Sequence, residues 1–271
     1  MSLLAATMAQ IIRAVAPPAG GDEWTPAEIS TALWLDATDA ATITEVSGAV
    51  SQWDDKSGNA RHVSQGTASK RPTLSTLNGL SALDFDGADD WLVTATNQTM
   101  HAGSWLAFGV AKRDAGATGF GMLFSQHENV STKTNAQYLR ATTTGIETIT
   151  FNTSNTAFTA SAAGDDEAAL VYSASCETGA LQAFVNGTGG SVVAPTGTIS
   201  TDVSQVSVGA RQSSAGAADT YFKGEIGELI LVPDTTSSVT RQRIEGYLAH
   251  KWGLEGDLPG GHPYKAAPPT I

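Results

Sequence analysis

Phe222-Lys223-Gly224-Glu225-Ile226-Gly227-Glu228-Leu229-Ile230-Leu231-Val232, followed after a short polar break by Ile244-Glu245-Gly246-Tyr247-Leu248-Ala249-His250-Lys251-Trp252-Gly253, is the stretch that decides the fold. Its first half is glycine-punctuated and rich in strand formers, with no helical period. Its second half changes period. Ile244, Tyr247, Leu248 and Lys251/Trp252 recur at helical spacing. Ser237 or Ser238 can cap this helix, and Gly253 can end it in the left-handed conformation. One strand and then one helix is the signature of a β domain closed by a helix.

Upstream of this stretch, from Trp24 to about Val232, short strands recur with Gly, Asn, Asp and Ser turns between them. Leu106, Phe108 and Val110 alternate with Trp105, Ala107 and Gly109. Leu181, Ala183 and Val185 alternate likewise, and Asn186-Gly187 reads as a hairpin turn. Further strands are expected at Ala32–Leu35, Val50–Trp53, Ala82–Asp86, Phe120–Ser125, Ala136–Ala141, Ile146–Phe151, Ala168–Ser175 and Val203–Ala210. No repeat of fixed period appears. Regular strands without intervening helices predict an all-β, two-sheet antiparallel jelly-roll sandwich with an N-terminal helical arm and one C-terminal helix. Trp53, Phe85, Phe108, Val185, Leu229, Tyr247 and Trp252 are the expected core.

Residues 1–23 read as the arm and a linker, 24–254 as the sandwich, and 255–271 as an extended C-terminal tail rich in Pro and Gly. Within the arm, Leu4, Met8, Ile11 and Val15 form one apolar stripe, a spacing that also fits a short coiled coil. A helix this short does not persist alone. The stripe is therefore expected to dock on a sister subunit or a larger assembly, and Pro17–Gly21 to let the sandwich project from it.

The 271 residues carry a formal net charge of −12 and a single cysteine, Cys176. An acidic surface repels phosphate backbones and argues against nucleic-acid binding. No apolar run approaches the ~20 residues that span a bilayer, which argues against membrane insertion. The first residues lack a basic segment before the apolar one, Gln10 and Arg13 interrupt it, and Pro17 follows Ala14-Val15-Ala16 at once. They are expected not to be a cleaved secretion signal. One cysteine forms no disulfide within the chain, and no local His supports it as a nucleophile, so it reads as a small buried hydrophobe.

Trp53-Asp54-Asp55-Lys56-Ser57-Gly58-Asn59, Leu83-Asp84-Phe85-Asp86-Gly87-Ala88-Asp89-Asp90-Trp91, Val185-Asn186-Gly187, Val208-Gly209-Ala210-Arg211 and the two opening stretches occur in an order that resembles the LamG-like, concanavalin A-like jelly roll. The resemblance covers roughly Thr31 to Leu254. That family, common in bacterial surface proteins and bacteriophage virion proteins, implies the sandwich but does not fix function, because the fold hosts lectins, hydrolases and scaffolds. The N-terminal arm lies outside the family pattern and suggests an attachment segment.

Asp84, Asp86, Asp89 and Asp90 are the candidate calcium ligands. Residues 84 and 86 share a strand face, 89 and 90 sit in the turn after it, and hard oxygens gathered this way suit Ca²⁺. The loop is not an EF-hand, and the competing reading is a turn whose carboxylates cap backbone amides. Asp54, Asp55 and Asn59 form a second acidic turn with the same two readings. Jelly-roll glucanases resembling this fold carry Glu-x-Asp-x-x-Glu or Glu-x-Asp-x-Glu on one strand, and neither pattern occurs here. Glu225 and Glu228 come nearest, on opposite strand faces unless a bulge intervenes. None of His62, His101, His127, His250 and His262 pairs with another at metal-ligand spacing. Neither a Gly-x-Ser-x-Gly elbow nor a phosphate-binding loop is present. Trp34, Trp53 and Trp252 fall in apolar patterns and read as core. Trp91, Trp105 and Tyr138 are the candidate stacking platforms for a sugar, with core as the alternative for each.

These readings predict a non-enzymatic structural or adhesion module. The family resemblance and the arm point to a virion surface component, a capsid decoration or a head or tail fibre assembled in the bacterial cytoplasm. Its expected partners are other virion proteins or sister subunits and, at its surface, host glycans. The alternatives are a free-standing carbohydrate-binding module and a glycan-cleaving jelly-roll hydrolase.

Overall fold

The computed structural model describes residues 22–127, 137–165, 167–201, 203–214 and 217–271. Leu4, Met8, Ile11 and Val15 lie outside the described residues. The principal strands are β1 (Leu33–Asp36), β2 (Leu80–Asp86), β3 (Trp105–Arg113), β4 (Gly121–Gln126), β5 (Gln137–Thr142), β6 (Gly145–Phe151), β7 (Ala157–Ala163), β8 (Leu170–Glu177), β9 (Ala180–Val185), β10 (Val206–Val208) and β11 (Lys223–Pro233), followed by helix α1 (Ser238–Lys251).

Every pairing is antiparallel, and the strands form two layers. In the first layer β11 is the spine. Its early residues pair with β2 (Glu225↔Asp84) and its later ones with β1 (Leu229↔Leu35), while β3 runs along its other flank. β8 adds to β3, and β9 to β8. The second layer runs β7-β6-β5-β4-β10 and continues through the short strands Leu92–Thr94, Val63–Ser64 and Ala49–Trp53. The pair Ala49↔Thr73 then joins it to Thr73–Leu77 beside β2, so hydrogen bonding is continuous around that edge. This is the jelly-roll sandwich expected from the strand rhythm.

Strand alternation sends one set of side chains between the layers and the other outward. Leu83, Phe85, Ala107, Tyr172, Ala174, Leu229 and Leu231 of the first layer meet Leu123, Phe124, Leu139, Ile146, Val206 and Val208 of the second in one core. Cys176 lies fully buried there, and burial pushes its thiol up to about 12, so it is an inert packing group. Between β9 and the short strand Thr188–Gly189, Asn186 and Gly187 have φ of 48° and 76°, the two-residue turn that tightens a twisted hairpin.

A second core lies on the outer side of the first layer, where Trp34, Leu106, Phe108, Val110, Val171 and Ile230 receive Ile244, Leu248, Ala249 and Trp252 from α1. Ser237 caps the helix by accepting from the Thr240 amide, and Gly253 at φ 67° follows its end. Gly227 is needed here: a Cβ on it would lie 2.3 Å from the Trp252 ring. Trp53, Phe85, Phe108, Val185, Leu229 and Trp252 are buried, but Tyr247 is only partly so, because its hydroxyl end reaches a polar cluster.

Two expectations need correcting. Residues 255–271 are not a free extended tail. Leu258 and His262 are buried, Tyr264 lies on Gly246, and the end is zipped to the start of the domain. The Trp24 amide donates to Pro269, the Ile271 amide to Asp22, and Glu23 pairs with Thr270. Docking this tail buries apolar surface on α1 that would otherwise face water. The single strand expected over Val203–Ala210 is two pieces. Val203–Ser204 pairs with Gln98–Thr99, and β10 with β4 and Leu92–Thr94.

Candidate functional site

Glycoside chemistry on this fold would need a pair of open carboxylates. A register shift between Ile226 and Glu228 puts Glu225 opposite Lys112 and Glu228 opposite Val110, so the bulge does turn both acids to one face. Glu228 is nonetheless sealed. It is fully buried and accepts from Trp34 Nε1 (2.8 Å), Trp252 Nε1 (3.0 Å), Tyr247 Oη (3.1 Å) and Lys251 Nζ (2.7 Å). Burial pushes its carboxyl upward against the pull of Lys251. Lys251 also bridges to Asp36 at 2.7 Å, and Lys56 closes the chain to Asp36 at 3.0 Å. Glu245 is a second sealed acid, taking Ser173 Oγ at 2.5 Å, Arg241 Nη1 at 2.5 Å and His262 Nε2 at 3.3 Å. Because Glu228 and Glu245 are both fully buried, neither is open to a sugar, and the Glu225/Glu228 pair lacks the second accessible carboxylate that flanking a glycosidic bond requires. Both act as fasteners between α1 and the sheet.

The acidic turn after β2 satisfies its own amides. Asp86 Oδ1 accepts from the amides of Ala88 (2.8 Å), Asp89 (3.2 Å) and Asp90 (3.4 Å), and Asp90 Oδ2 from the Asp86 amide (3.1 Å). Asp86, Asp89 and Asp90 each bring an oxygen within 4.8 Å of the others; Asp84 stands apart, opposite Glu225 on the strand. Burial, with Asp86, Asp89 and Asp84 nearby, holds the Asp90 carboxyl up to about 6. Asp55 ties its own loop to β1, taking the amides of Trp34, Ser57 and Arg61, while Asn59 donates to the Thr31 carbonyl.

Of the three expected aromatic platforms, two are corrected outright. Trp105 (2% exposed) points into the inter-layer core from the inward half of β3, and Trp91 (4%), whose backbone bonds to Gln65 and Lys70, is buried as well, so neither ring faces solvent. Tyr138 is also buried, but on the outer side of the second layer, where it forms a small apolar cluster with Met122, Ile149 and Phe151.

Tyr138, Ile149 and Phe151 of that cluster floor a cavity of about 430 Å³ walled by His127, Arg140, Arg211, Asn155 and Thr159. The sheet register makes the floor: Tyr138 pairs with Ile149 and Ile149 with Thr159 across β5, β6 and β7. Arg211, in the strand Arg211–Ser214, is held by Asp219 at 2.7 and 2.9 Å and lines the cavity beside Tyr138. Arg140 is held by Glu147 at 2.9 and 2.6 Å and stacks on the half-exposed Phe120, 3.7 Å from its ring centre. His127 Nδ1 donates to the Gln212 carbonyl at 3.2 Å, and burial lowers its pKa, keeping the ring neutral. Burial drives the Tyr138 phenol well above its usual range, so it stays a hydroxyl. The arrangement offers an apolar bed ringed by hydrogen-bond donors. Tyr138 is legible in the sequence as a candidate platform; Arg140, Arg211 and Phe151 are not. Arg140 and Phe151 share the outward half of neighbouring strands with Tyr138, whereas Arg211 arrives from a distant strand.

The fold that carries this cavity is a jelly-roll sandwich. No family model and no curated protein sequence matches this chain. Among solved structures it is similar to the botulinum neurotoxin serotype D ligand-binding domain in complex with N-acetylneuraminic acid, at 12% identity and TM-score 0.56 over 80% of this chain and 50% of that one. It is also similar to the serotype G binding domain, at 8% identity and TM-score 0.56 over 78% and 49%. The chain thus spans about half the length of these toxin domains, and at such identities the likeness is one of fold.

Proposed function

We propose that this chain is a non-enzymatic glycan-binding and structural module on a particle surface, a bacteriophage capsid decoration or head- or tail-fibre component. The cavity over Tyr138, Ile149 and Phe151 carries the binding half of this reading. A sugar ring has an apolar face and hydroxyl-bearing edges, and the cavity pairs an apolar floor with polar walls. The shared fold with a toxin domain solved with N-acetylneuraminic acid supports it at the level of architecture. The particle half rests on the family resemblance and on the apolar stripe Leu4, Met8, Ile11 and Val15 ahead of the Pro17–Gly21 linker.

The test of binding is a glycan array probed with the full chain and with Thr159→Trp, a substitution at an exposed rim position that fills the cavity without touching the core. The wild type is expected to retain a defined set of glycans and the variant to lose them at unchanged melting temperature. Undiminished retention by the variant would move the site elsewhere, and no retention by the wild type would remove the glycan half. For the particle half, deleting residues 1–20 should leave a folded domain that no longer assembles. Intact assembly, or an unfolded product, would count against it.

A further inference from the structure

The cavity over Tyr138 differs in charge from the rest of the molecule. Residues lining three of the other main cavities include Asp234, Glu23, and Asp165 with Asp257, and a fourth includes Glu147. The residues lining this one include two arginines and a neutral histidine, with no carboxylate among them, in a chain of net charge −12. The acids that hold the two guanidinium groups, Glu147 and Asp219, lie outside the lining set. Glu147 takes the Nε and Nη2 of Arg140, and Asp219 the Nε and Nη2 of Arg211. A guanidinium carries five N–H groups in a fixed fork, so this bracing fixes each plane while using only part of its donor set. Both arginines line the same cavity as Tyr138, one from the strand that carries it and one from Arg211–Ser214.

We propose that this cavity selects carboxylate-bearing sugars over neutral ones, with Arg140 and Arg211 reading the carboxylate while Tyr138 and Phe151 bed the ring. The proposal rests on the glycan-binding reading above. Charge-assisted N–H···O bonds to a carboxylate are shorter and stronger than those to a hydroxyl, and Arg suits them best. Asn155 and Thr159 also line the cavity and bring groups of the kind that hydrogen-bond sugar hydroxyls.

The experiment measures binding of the full chain to one oligosaccharide in three forms: with a terminal carboxylated sugar, as its methyl ester, and with a sulfate at the same end. Free acetate serves as competitor. The acid is expected to bind roughly tenfold or more tighter than the ester. Arg140→Gln/Arg211→Gln should abolish that ratio, and Arg140→Lys/Arg211→Lys should restore part of it. Equal binding of acid and ester, with no response to the arginine changes, overturns the selection while the glycan reading survives. Sulfate binding as tight as the acid overturns the carboxylate assignment in favour of a general anion site. Acetate competing as well as the sugar acid, mole for mole, overturns the role of the sugar ring. If no form of the glycan binds, this proposal and the glycan reading fall together.

Discussion

The two outer faces of the sandwich carry similar ingredients and use them in opposite ways. Each presents aromatic and aliphatic side chains with charged groups among them. On the first layer, α1 and the C-terminal segment cover the apolar set, and the acids Glu228 and Glu245 are driven to full burial with every approach occupied by a donor. On the second layer the apolar set is a small cluster, and its charged groups sit at the rim of a cavity. A buried carboxylate is tolerated only when paired and hydrogen-bonded, so the covered face has spent its polar groups on cohesion. The donors of the open face border a space that a ligand can enter.

Deleting residues 259–271 should do the most damage, because it strips His262 from Glu245, Tyr264 from Gly246 and the Asp22–Trp24 segment from its partners. The loss of melting temperature should exceed that of any single substitution below, and limited proteolysis of the intact chain should spare this segment. Trimming of 259–271 without loss of stability would show that the first face is not closed by its tail.

Phe108→Ala should cost about 3–5 kcal/mol in chemical denaturation, since Phe108 is fully enclosed between β3 and α1. Phe151→Ala, at the floor of the open cavity, should cost less than half of that, because water can fill the space left behind. Equal costs would erase the distinction between a covered face and an open one. Glu228→Ala should likewise cost about 3–5 kcal/mol by leaving two indole N–H groups unpaired and Lys251 with Asp36 as its one remaining carboxylate. A double-mutant cycle with Lys251→Met should recover part of that loss.

The smallest effect belongs to the acidic turn. Asp90 has a folded pKa raised to about 6 from 3.8, so its native form holds a proton that the unfolded chain releases. Its contribution is therefore fully favourable below about pH 3.8 and is lost as pH rises through about 6. Asp90→Asn should raise stability at pH 7 by on the order of 1 kcal/mol, allowing for solvent screening, and by nothing near pH 3.5. Thermal melts at the two pH values check the sign. If millimolar calcium raises the melting temperature of the wild type and Asp90→Asn abolishes the rise, the turn is a cation site instead of a self-capped one.

The sequence by itself determined the sandwich and its closing helix. Alternation at Leu106–Val110 and Leu181–Val185, the Asn186-Gly187 turn, and the helical spacing from Ile244 to Trp252 are local signals, written in residues close together in the chain. β7 escaped notice because Ala157–Ala163 is built from Ala, Thr and Ser with one Phe, a composition that carries little alternation in hydrophobicity even though its burial alternates. The reading of 255–271 as a tail failed for a related reason: Pro and Gly there mark irregular backbone, and irregular backbone can still be packed. Only the tertiary structure decided the fate of the polar residues. Glu225 and Glu228 share a face because of a bulge at Gly227, and Glu228 is sealed because Trp34 and Trp252, far apart in the chain, meet over it. Arg211 reaches Tyr138 across more than seventy intervening residues. Burial and charge pairing are properties of neighbours in space, and a chain read one residue at a time does not state who those neighbours are.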